Sequence, residues 1–499
     1  MRTAILSGLL ALALSGCVNM APERAQPEVT AQLPDAFPNS ENAAAYRPEA
    51  WWTAFQDPVL DALVKDALAD NLDIAEASAR VAQAAAQARV ARSALLPAVN
   101  ASADANYSNT PLTGSAFGGL AGGGGATPDR IENDSYSIGL GASYEIDLFG
   151  RVRNDYAAAR ADALAAEYDY RTVQLAAAAE TIATYFEIVD SRRQIELTLE
   201  TIDLLADRAA RTEERFRRGL TQSFELYQVQ QDQRNVQASL PQREAALDDA
   251  EGRLGVLVRA YPQAVEARLA RPLTPQLVFD EVPAGLPADL LGQRPDVAAA
   301  WARLEAARAR VGARKAERFP SITLSAQPGT QGGDIGGALD VANNWAVNLA
   351  AGLTAPIFQG GRISANIEVA KATYDAAAAN YARTVLTAFR EANSAIEDYE
   401  ENRQRYRLIL AQREEARFSA DLQARRFEAG VGDYVSYLDA LRALYQVESA
   451  LSSAGRTVAI SRLGIHRALG GDWTDPSAPD RIAPNPVEMV PAPQEGQEP

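Results

Sequence analysis

The sequence predicts a mixed α and β membrane protein built by internal duplication, with four short strands and two exceptionally long helical segments. Three observations support this prediction. Four stretches alternate apolar and polar residues with a period of two, as strands with one apolar face do. Two stretches of about 66 residues contain neither proline nor glycine. Landmark residues recur in the same order at a nearly constant offset, which indicates a repeat.

The N-terminal residues have the features of a secretory signal peptide. Arg2 precedes an apolar run, Ala4 to Leu14, that is too short to span a membrane as a helix. The motif Leu-Ser-Gly-Cys at 14–17 resembles the bacterial lipobox, which implies cleavage before Cys17 and acylation of its thiol. Val18 follows, which by resemblance to lipoprotein sorting favours the outer membrane. The alternative is an ordinary signal peptide with a coincidental cysteine.

The longest alternating stretch is SYSIGLGASYEIDLFG at 135–150, where residues from Tyr136 to Leu148 place every second side chain on an apolar face. Shorter stretches at 98–108, 321–327 and 344–358 alternate in the same way. The strands therefore come in two pairs. The glycine-rich, polar segments between the members of each pair, 109–134 and 328–343, are typical of exposed loops.

Matching motifs divide the rest of the chain into two repeats. LFGR at 148–151 corresponds to IFQGGR at 357–362, and RFRRGL at 215–220 corresponds to RFEAGV at 426–431. The phenylalanines of the first pair lie 209 positions apart (358 − 149), and the glycines of the second lie 211 apart (430 − 219). A constant order at nearly constant offset indicates an internal duplication.

The two segments without proline or glycine predict helices from Arg151 to about Arg217 and from Arg362 to about Glu428, each roughly 100 Å long. Gly219 and Gly430 are placed to end them, as glycine C-caps do. Return helices are expected at about 222–259 and 433–470. Helices of this length predict side-by-side packing as coiled coil; a purely structural coiled coil is the alternative for most of their length.

These elements divide the chain into six expected segments. They are a signal peptide (1–16), a lipidated N-terminal segment (17–50), a first repeat (51–258), a proline-rich linker or equatorial segment (259–293), a second repeat (294–473) and a proline-rich, poorly ordered tail (474–499).

Four amphipathic strands cannot close a barrel around an interior, and unpaired strand edges are not tolerated in lipid. Several copies are therefore expected to pool their strands, with polar residues inside and apolar residues outside. Three copies give twelve strands, which is wide enough for a water-filled lumen. A soluble β-sandwich is the alternative, but it leaves the lipobox and the long helices without a joint explanation.

The residue content excludes several kinds of chemistry. A single cysteine, Cys17, and a single histidine, His466, exclude a disulfide framework within the chain and CxxC metal sites. No nucleophile elbow accompanies His466, which is expected to be a surface or packing residue. No phosphate-binding or dinucleotide fingerprint is present. The net charge of −17 argues against a nucleic-acid partner. Because the motifs of catalysis and cofactor binding are missing, the sequence predicts a non-enzyme without cofactors.

The duplication, lipobox, paired strands and RF-x-x-G turns together resemble the TolC family of outer-membrane efflux ducts, and within it the OprM/NodT-like lipoprotein branch, from about Trp51 to Trp473. The resemblance implies a homotrimer with a twelve-stranded outer-membrane barrel continued by a periplasmic α-helical coiled-coil barrel. It implies passive conduction of small molecules from an inner-membrane pump, of RND type, through a periplasmic membrane-fusion adaptor.

In this family the helix after the turn carries the constriction, which here falls in GVGDYVSYLDALR at 430–442. Val435, Asp439 and Arg442 are spaced i, i+4, i+7 and therefore share one helix face. By resemblance that face points into the pore and forms the gate. The alternative is a surface i,i+3 pair of Asp439 with Arg442.

The corresponding positions of the first repeat hold Phe224, Gln228 and Gln231, so a charged ring is expected to be threefold and not sixfold. Ser436 stands where family members with two carboxylates on this helix carry one of them, so the chain departs from a double aspartate ring.

The resemblance further implies that the two turns dock the helical hairpins of the adaptor; a simple helix–turn–helix joint that needs glycine is the alternative. The expected docking residues are Arg215, Gly219, Leu220, Thr221, Arg426, Gly430, Val431 and Gly432. Glu145 and Asp147 are expected on the lumenal face of their strand, either tuning cation preference or as solvated surface charge.

Two rival functions remain open at this point. A type I protein-secretion exit duct is built alike and differs only in what it exports. A trimeric surface adhesin or periplasmic coiled-coil spacer would have no channel activity, and the duplicated strand pairs argue against it.

Overall fold

The computed structural model describes residues 19–22, 51–111, 130–270, 273, 275–280 and 294–471. The predicted signal peptide, the lipidation at Cys17 and the C-terminal tail lie outside the described residues.

A short 3-10 helix, Trp51–Phe55, precedes the regular elements. The first half of the chain contains α1 (Pro58–Asp70), α2 (Leu72–Ser93), β1 (Ala98–Pro111), β2 (Arg130–Ile146), α3 (Arg151–Arg217), α4 (Ser223–Leu257) and α5 (Pro262–Leu269). The second half contains α6 (Pro295–Ala316), β3 (Ser321–Gly332), α7 (Ile335–Leu339), β4 (Trp345–Thr354), α8 (Arg362–Glu428) and α9 (Tyr434–Ala468).

The lengths of these elements repeat. The long helices α3 and α8 each have 67 residues, and the return helices α4 and α9 each have 35. The helices before the strand pairs, α2 and α6, each have 22. The predicted ends of the long helices are confirmed, and the same order of elements occurs twice.

The four strands form one antiparallel sheet in the order β1-β2-β3-β4. Ala103 lies opposite Ile138, and Ala326 lies between Ala142 on one side and Leu349 on the other. The predicted apolar faces of all four strands therefore coincide. The two strand pairs predicted from the sequence are joined, because β2 and β3 also pair.

The strands extend further into the segments between them than predicted. β1 continues to Pro111 and β2 begins at Arg130, so the loop predicted at 109–134 is shorter. Polar side chains support this extension, since Asn109 Nδ2 donates to Glu132 Oε1 at 2.9 Å across the strands. The loop predicted at 328–343 was wrong in part, because it contains the end of β3 and the short helix α7.

By compactness the chain divides into two units. One unit consists of residues 82–164 and 302–379 and contains the sheet. The other consists of the described residues of 26–81, 165–301 and 380–499. In the second unit a hydrophobic core joins Phe55, Leu60, Tyr185, Leu254 and Leu269. Leu269 belongs to α5, so the predicted linker contributes a helix to this core.

Equivalent hydrogen bonds tie each repeat together inside the second unit. Asn71 precedes α2, and its Nδ2 donates to the carbonyl of Leu257, the last residue of α4, at 3.0 Å. Arg294 precedes α6, and its Nη1 donates to the carbonyl of Ala468, the last residue of α9, at 3.0 Å. The two repeats therefore share tertiary hydrogen bonds as well as the order of their elements. We call these two bonds the repeat junctions.

Within the described ranges, no helix combines the length and apolar character needed to cross a membrane.

Candidate functional site

Both long helices end in the same glycine turn. Gly219 and Gly430 have φ of 71° and 75°, the left-handed region that only glycine enters without strain. The amide of Leu220 donates to the carbonyl of Arg215 at 2.9 Å, and the amide of Val431 donates to that of Arg426 at 3.0 Å. This six-residue closure is a Schellman motif, which explains the repeated RF-x-x-G spacing.

The second turn is more tightly specified than the first. Asp433 is the N-cap of α9, and its carboxylate accepts from the Ser436 amide at 2.8 Å and from the Ser436 hydroxyl at 2.6 Å. These bonds lower the pKa of the Asp433 carboxyl, and the bond from the Ser436 hydroxyl has the larger effect. Gln222, the N-cap of α4, makes no such side-chain bond. Ser436 therefore has a role in capping.

Gly432 is required for a different reason from Gly219 and Gly430, because a side chain would not fit there. A Cβ at this position would lie 2.9 Å from the Cβ of Arg426, closer than side chains approach. Leu220 and Val431 are exposed at the ends of the two turns, and Thr221 is half-buried with its hydroxyl bonded to Glu225. The eight residues predicted for docking thus lie in two short turns, with Arg215 and Arg426 supplying the carbonyls that close them.

A small apolar cluster lies beyond the turns, where three helices meet. It consists of Leu205 of α3, Val229 of α4 and Leu438 of α9, all buried. Beside it, the guanidinium of Arg208 lies 4.1 Å from the ring centre of Tyr437, which is within cation–π range. The cluster fixes one face of α4 against one face of α9.

An ion pair connects those same two helices. Arg442 Nη2 of α9 donates to Asp232 Oδ2 of α4, and Arg442 Nη1 lies 3.6 Å from Asp439 Oδ1. Asp232 is three residues from the buried Val229, and Arg442 is four residues from the buried Leu438. Each charged residue therefore lies on the same helix face as the buried residue near it, so the packing of α4 against α9 brings the two charges together. We call the Asp232–Arg442 ion pair the clasp.

The three residues predicted for the gate occupy different environments. The Asp439 side chain is 64% exposed, whereas that of Asp232 is only 28% exposed. Val435 is exposed and lies outside the apolar cluster. The structure brings Asp439 and Arg442 within ion-pair distance, but the partner closest to Arg442 is Asp232, which sequence reasoning missed.

The two carboxylates predicted on the lumenal strand face, those of Glu145 and Asp147, bind residues in the first turn of α3. Asp147 lies beyond the end of β2, and its carboxylate accepts from the amide of Arg153 at 2.8 Å and of Val152 at 3.3 Å. Asp147 is therefore a helix cap and not a strand residue, which corrects the sequence assignment. Glu145 lies in β2, where its carboxylate pairs with Arg151 at 2.7 Å.

No group of three or more histidine, cysteine or acidic side chains that could hold a metal ion occurs in the described part of the chain. His466 is buried, as a packing residue, in α9. Burial and the charge of Arg462 lower its pKa to about 3.

The duplicated architecture, with four strands, two long helices and two glycine turns, is shared with known outer-membrane channels. The family model for outer membrane efflux proteins matches residues 63–258 and 286–471. The chain is 32% identical to the pyoverdine export outer membrane protein OpmQ of Pseudomonas aeruginosa, covering 85% of this chain and 87% of that protein. It is 31% identical to TtgC, a probable efflux pump outer membrane protein of Pseudomonas putida, over 93% of this chain and 94% of that one.

A solved structure gives the same result. The open state of the Neisseria gonorrhoeae outer membrane channel MtrE superposes with a TM-score of 0.78 at 27% identity, covering 91% of this chain and 98% of that one. The chain belongs to the outer membrane efflux protein family. It is an outer-membrane channel component of an efflux system, as the resemblance implied.

Proposed function

We propose that three copies of this chain form a gated duct that passively conducts small molecules across the outer membrane. An inner-membrane pump, of RND type, supplies the energy, and a periplasmic adaptor couples the pump to the glycine turns. The chain itself contributes the conduit and the gate. Acylation of Cys17 anchors its N-terminus in the outer membrane.

The clasp carries the proposal of a gate. It joins α4 of the first repeat to α9 of the second close to the turns, where the return helices begin. Opening a passage by separating these helices breaks one clasp in every copy. Three clasps in a trimer oppose opening together. Asp439 and Val435 stand exposed one and two turns closer to the glycine turn than Arg442.

The turns suit end-on docking of an adaptor. Leu220 and Val431 present apolar side chains at positions where the backbone is already held by Schellman bonds. A rigid, exposed apolar side chain at each turn offers a partner contact area without the cost of ordering a loop.

The sheet supports assembly into a trimer. The described part of each chain supplies four strands, and within it β1 and β4 each have one edge without a strand partner. Twelve strands from three copies close these edges, which lipid requires. The names of the relatives, pyoverdine export for OpmQ and efflux pump for TtgC, favour small molecules as cargo.

Two measurements test this function. Purified detergent-extracted protein should have the mass of a trimer by light scattering and give small, mostly closed conductances in a planar bilayer. Deleting the gene in its bacterium should increase susceptibility to exported compounds while leaving the set of secreted proteins unchanged. Loss of a secreted protein instead, with unchanged susceptibility, would assign the duct to type I secretion, and a trimer without conductance would make it a spacer.

A further inference from the structure

We propose that α7 is a lipid-contacting helix, which lies on the apolar face of the sheet and inserts Ile335 and Leu339 among the acyl chains of the outer leaflet of the outer membrane. This contact rests on the proposed duct in two respects only: the apolar face of the sheet meets lipid, and the long helices extend into the periplasm. It is independent of the clasp and of the adaptor.

The segment between β3 and β4 folds back onto the sheet. Helix α7 contacts β2 and β3, the two central strands. A Cβ built on Gly332 would lie 2.5 Å from the amide nitrogen of Ala338, so α7 lies directly over this glycine. Beside it, the hydroxyl of Thr330 donates to the carbonyl of Ala338, and Thr330 is only 8% exposed. Gly332 and Thr330 therefore mark where α7 packs on the sheet.

The face that α7 covers is the apolar one. Gly332 pairs with Tyr136 of β2. Thr330 pairs with Ile138 on one side and with Trp345 on the other. Directly paired residues of neighbouring strands point to the same face of a sheet. Helix α7 therefore lies on the face that carries Ile138, and in an outer-membrane channel the apolar face of the strands meets lipid.

Helix α7 lies at the external edge of the apolar band. β3 begins at Ser321, after α6, and ends at Gly332, so α7 is at the end of the sheet away from the long helices. Ile322, the first apolar residue of β3, lies ten positions before Gly332 (332 − 322). This is about 34 Å along the strand, or roughly 26 Å in height at a strand tilt of about 40°. Because the apolar band of such strands is about 25 Å tall, α7 is level with the boundary between acyl chains and head groups.

The exposed surface of α7 is apolar. Ile335 and Leu339 are spaced i, i+4, so they share one helix face, and each is 63% exposed. Val341, two residues after the helix, is also exposed. The charged residues that flank the helix, Asp334 and Asp340, both accept hydrogen bonds within the segment between β3 and β4. A face of this kind is more stable against acyl chains than against water.

Aromatic side chains near α7 agree with an interfacial position. Trp345, at the start of β4, is 65% exposed, and Tyr136 is half-buried. Both belong to the apolar face, as their pairing with Thr330 and Gly332 requires. Tryptophan and tyrosine are enriched where membrane proteins cross the boundary between acyl chains and head groups. Helix α7 and these two aromatic residues therefore form one continuous interfacial surface.

Other occupants of this surface fit the structure less well. A neighbouring copy would meet the sheet at its edge strands, β1 and β4, whereas α7 contacts the central strands. A periplasmic adaptor would approach from the end of the sheet where the long helices begin, and α7 lies at the opposite end. Water leaves the apolar face of Ile335 and Leu339 without a favourable contact.

Spin-label accessibility tests the lipid contact. Ile335→Cys and Leu339→Cys are each labelled with a nitroxide in full-length protein reconstituted into vesicles of phosphatidylethanolamine and phosphatidylglycerol. Collisions of the label with oxygen, which concentrates among acyl chains, are compared with collisions with a water-soluble nickel chelate. Leu349→Cys, on the apolar face of β4, is the lipid control. Ala346→Cys, next to Trp345 but on the opposite face, is the water control, and the wild type gives the background from Cys17.

We expect the ratio of oxygen to nickel collisions at both α7 positions to exceed that at Ala346 roughly tenfold, because acyl chains exclude the polar chelate. The ratio at these positions should lie close to that at Leu349. Two separate positions on one helix face make the result independent of any single substitution.

The outcomes separate this contact from the proposed function. Ratios at Ile335 and Leu339 equal to that at Ala346, with Leu349 in lipid, would overturn the contact and leave the duct standing. Low collision rates with both reagents would show that protein covers α7, which also overturns the contact. A Leu349 label in water would show that the apolar face does not meet lipid, and would overturn the duct and the contact together.

Discussion

Arg442 of the second return helix is bound to Asp232 of the first, so one ion pair joins the two repeats near their turns. Arg442 also lies 3.6 Å from Asp439 on its own helix. An arginine between two carboxylates is held by both, but only the bond to Asp232 ties α4 to α9. The pair that restrains opening is therefore the one between helices.

Exchanging the two charges tests the direction of this restraint. Asp232→Arg alone places two guanidinium groups together, and Arg442→Asp alone places three carboxylates together, so each single variant should leak. The double exchange restores attraction between α4 and α9 and should leak less than either single variant, although Asp439 then opposes it. Leak is measured as baseline conductance in planar bilayers. A double variant that leaks as much as the sum of both singles contradicts a direct interaction.

Changing the exposed apolar residue of the second turn should uncouple export from folding. Val431→Asp keeps the backbone of the turn but places a charge where an apolar partner surface is expected to dock. We expect export in cells to fall to the level of the gene deletion, with trimer mass and conductance unchanged. Normal export by Val431→Asp would remove this turn from the docking role.

Substitutions of Gly430 test the backbone conformation of the same turn. Nothing lies within 4 Å of a Cβ built on Gly430, so only its φ of 75° restricts substitution. Gly430→Ala should cost about 1–2 kcal/mol through left-handed backbone strain, whereas asparagine tolerates this region better. Trypsin cleavage at the arginines around the turn should therefore be faster in Gly430→Ala than in Gly430→Asn. Equal rates in both would contradict the strain argument.

The repeat junctions should differ in strength. Arg294 is buried and also pairs with Asp296 at 2.6 Å and Glu391 at 2.8 Å, whereas Asn71 makes uncharged bonds. Arg294→Ala removes charged hydrogen bonds to two partly exposed carboxylates and to the Ala468 carbonyl, and should cost about 3 kcal/mol. Asn71→Ala should cost about 1 kcal/mol, because it removes an uncharged hydrogen bond to the partly buried carbonyl of Leu257. Thermal unfolding followed by circular dichroism should rank the variants in this order, and the reverse order would contradict it.

His466 should make the protein sensitive to mild acid. Its folded pKa is about 3, mainly because burial disfavours the charged imidazolium, against about 6.5 in the unfolded chain. Between these values the unfolded state binds the extra proton, so stability falls as pH falls, by about 1.4 kcal/mol per unit. No contribution from this residue is expected above pH 6.5.

His466→Gln should remove that part of the pH dependence, because glutamine does not titrate. The quantity to compare is the difference in unfolding temperature between pH 7 and pH 5 for the wild type and the variant. A variant that loses as much stability on acidification as the wild type would show that other groups cause the effect.

The sequence predicted the features that depend on local pattern. The absence of proline and glycine between Arg151 and Arg217 specifies a continuous helix, and a glycine followed by an apolar residue specifies the turn at Gly219. Period-two alternation correctly placed residues such as Ile138 on the apolar face, because successive side chains of a strand point to opposite faces.

The features that the sequence did not predict depend on contacts between distant segments. Asp232 pairs with Arg442, 210 positions away, whereas the repeat alignment only made its neighbour Gln231 the counterpart of Arg442 and predicted no partner. Asp147 continues the alternating pattern of β2, yet its carboxylate caps α3, because helix amides without partners compete for it. Helix α5 has a short sequence between prolines, and the core around Leu269 stabilises it.

Single-channel recording of Asp232→Asn tests the central claim most directly. Asparagine keeps the size of the side chain but removes its charge, and a partly buried ion pair contributes about 0.5–1 kcal/mol. Three clasps lost together should raise the open fraction roughly tenfold to a hundredfold. Arg211→Gln is the control, since it breaks an exposed pair with Asp207 within α3 and should leave gating unchanged. An open fraction for Asp232→Asn equal to that of the wild type and the control would contradict a clasp that holds the duct shut.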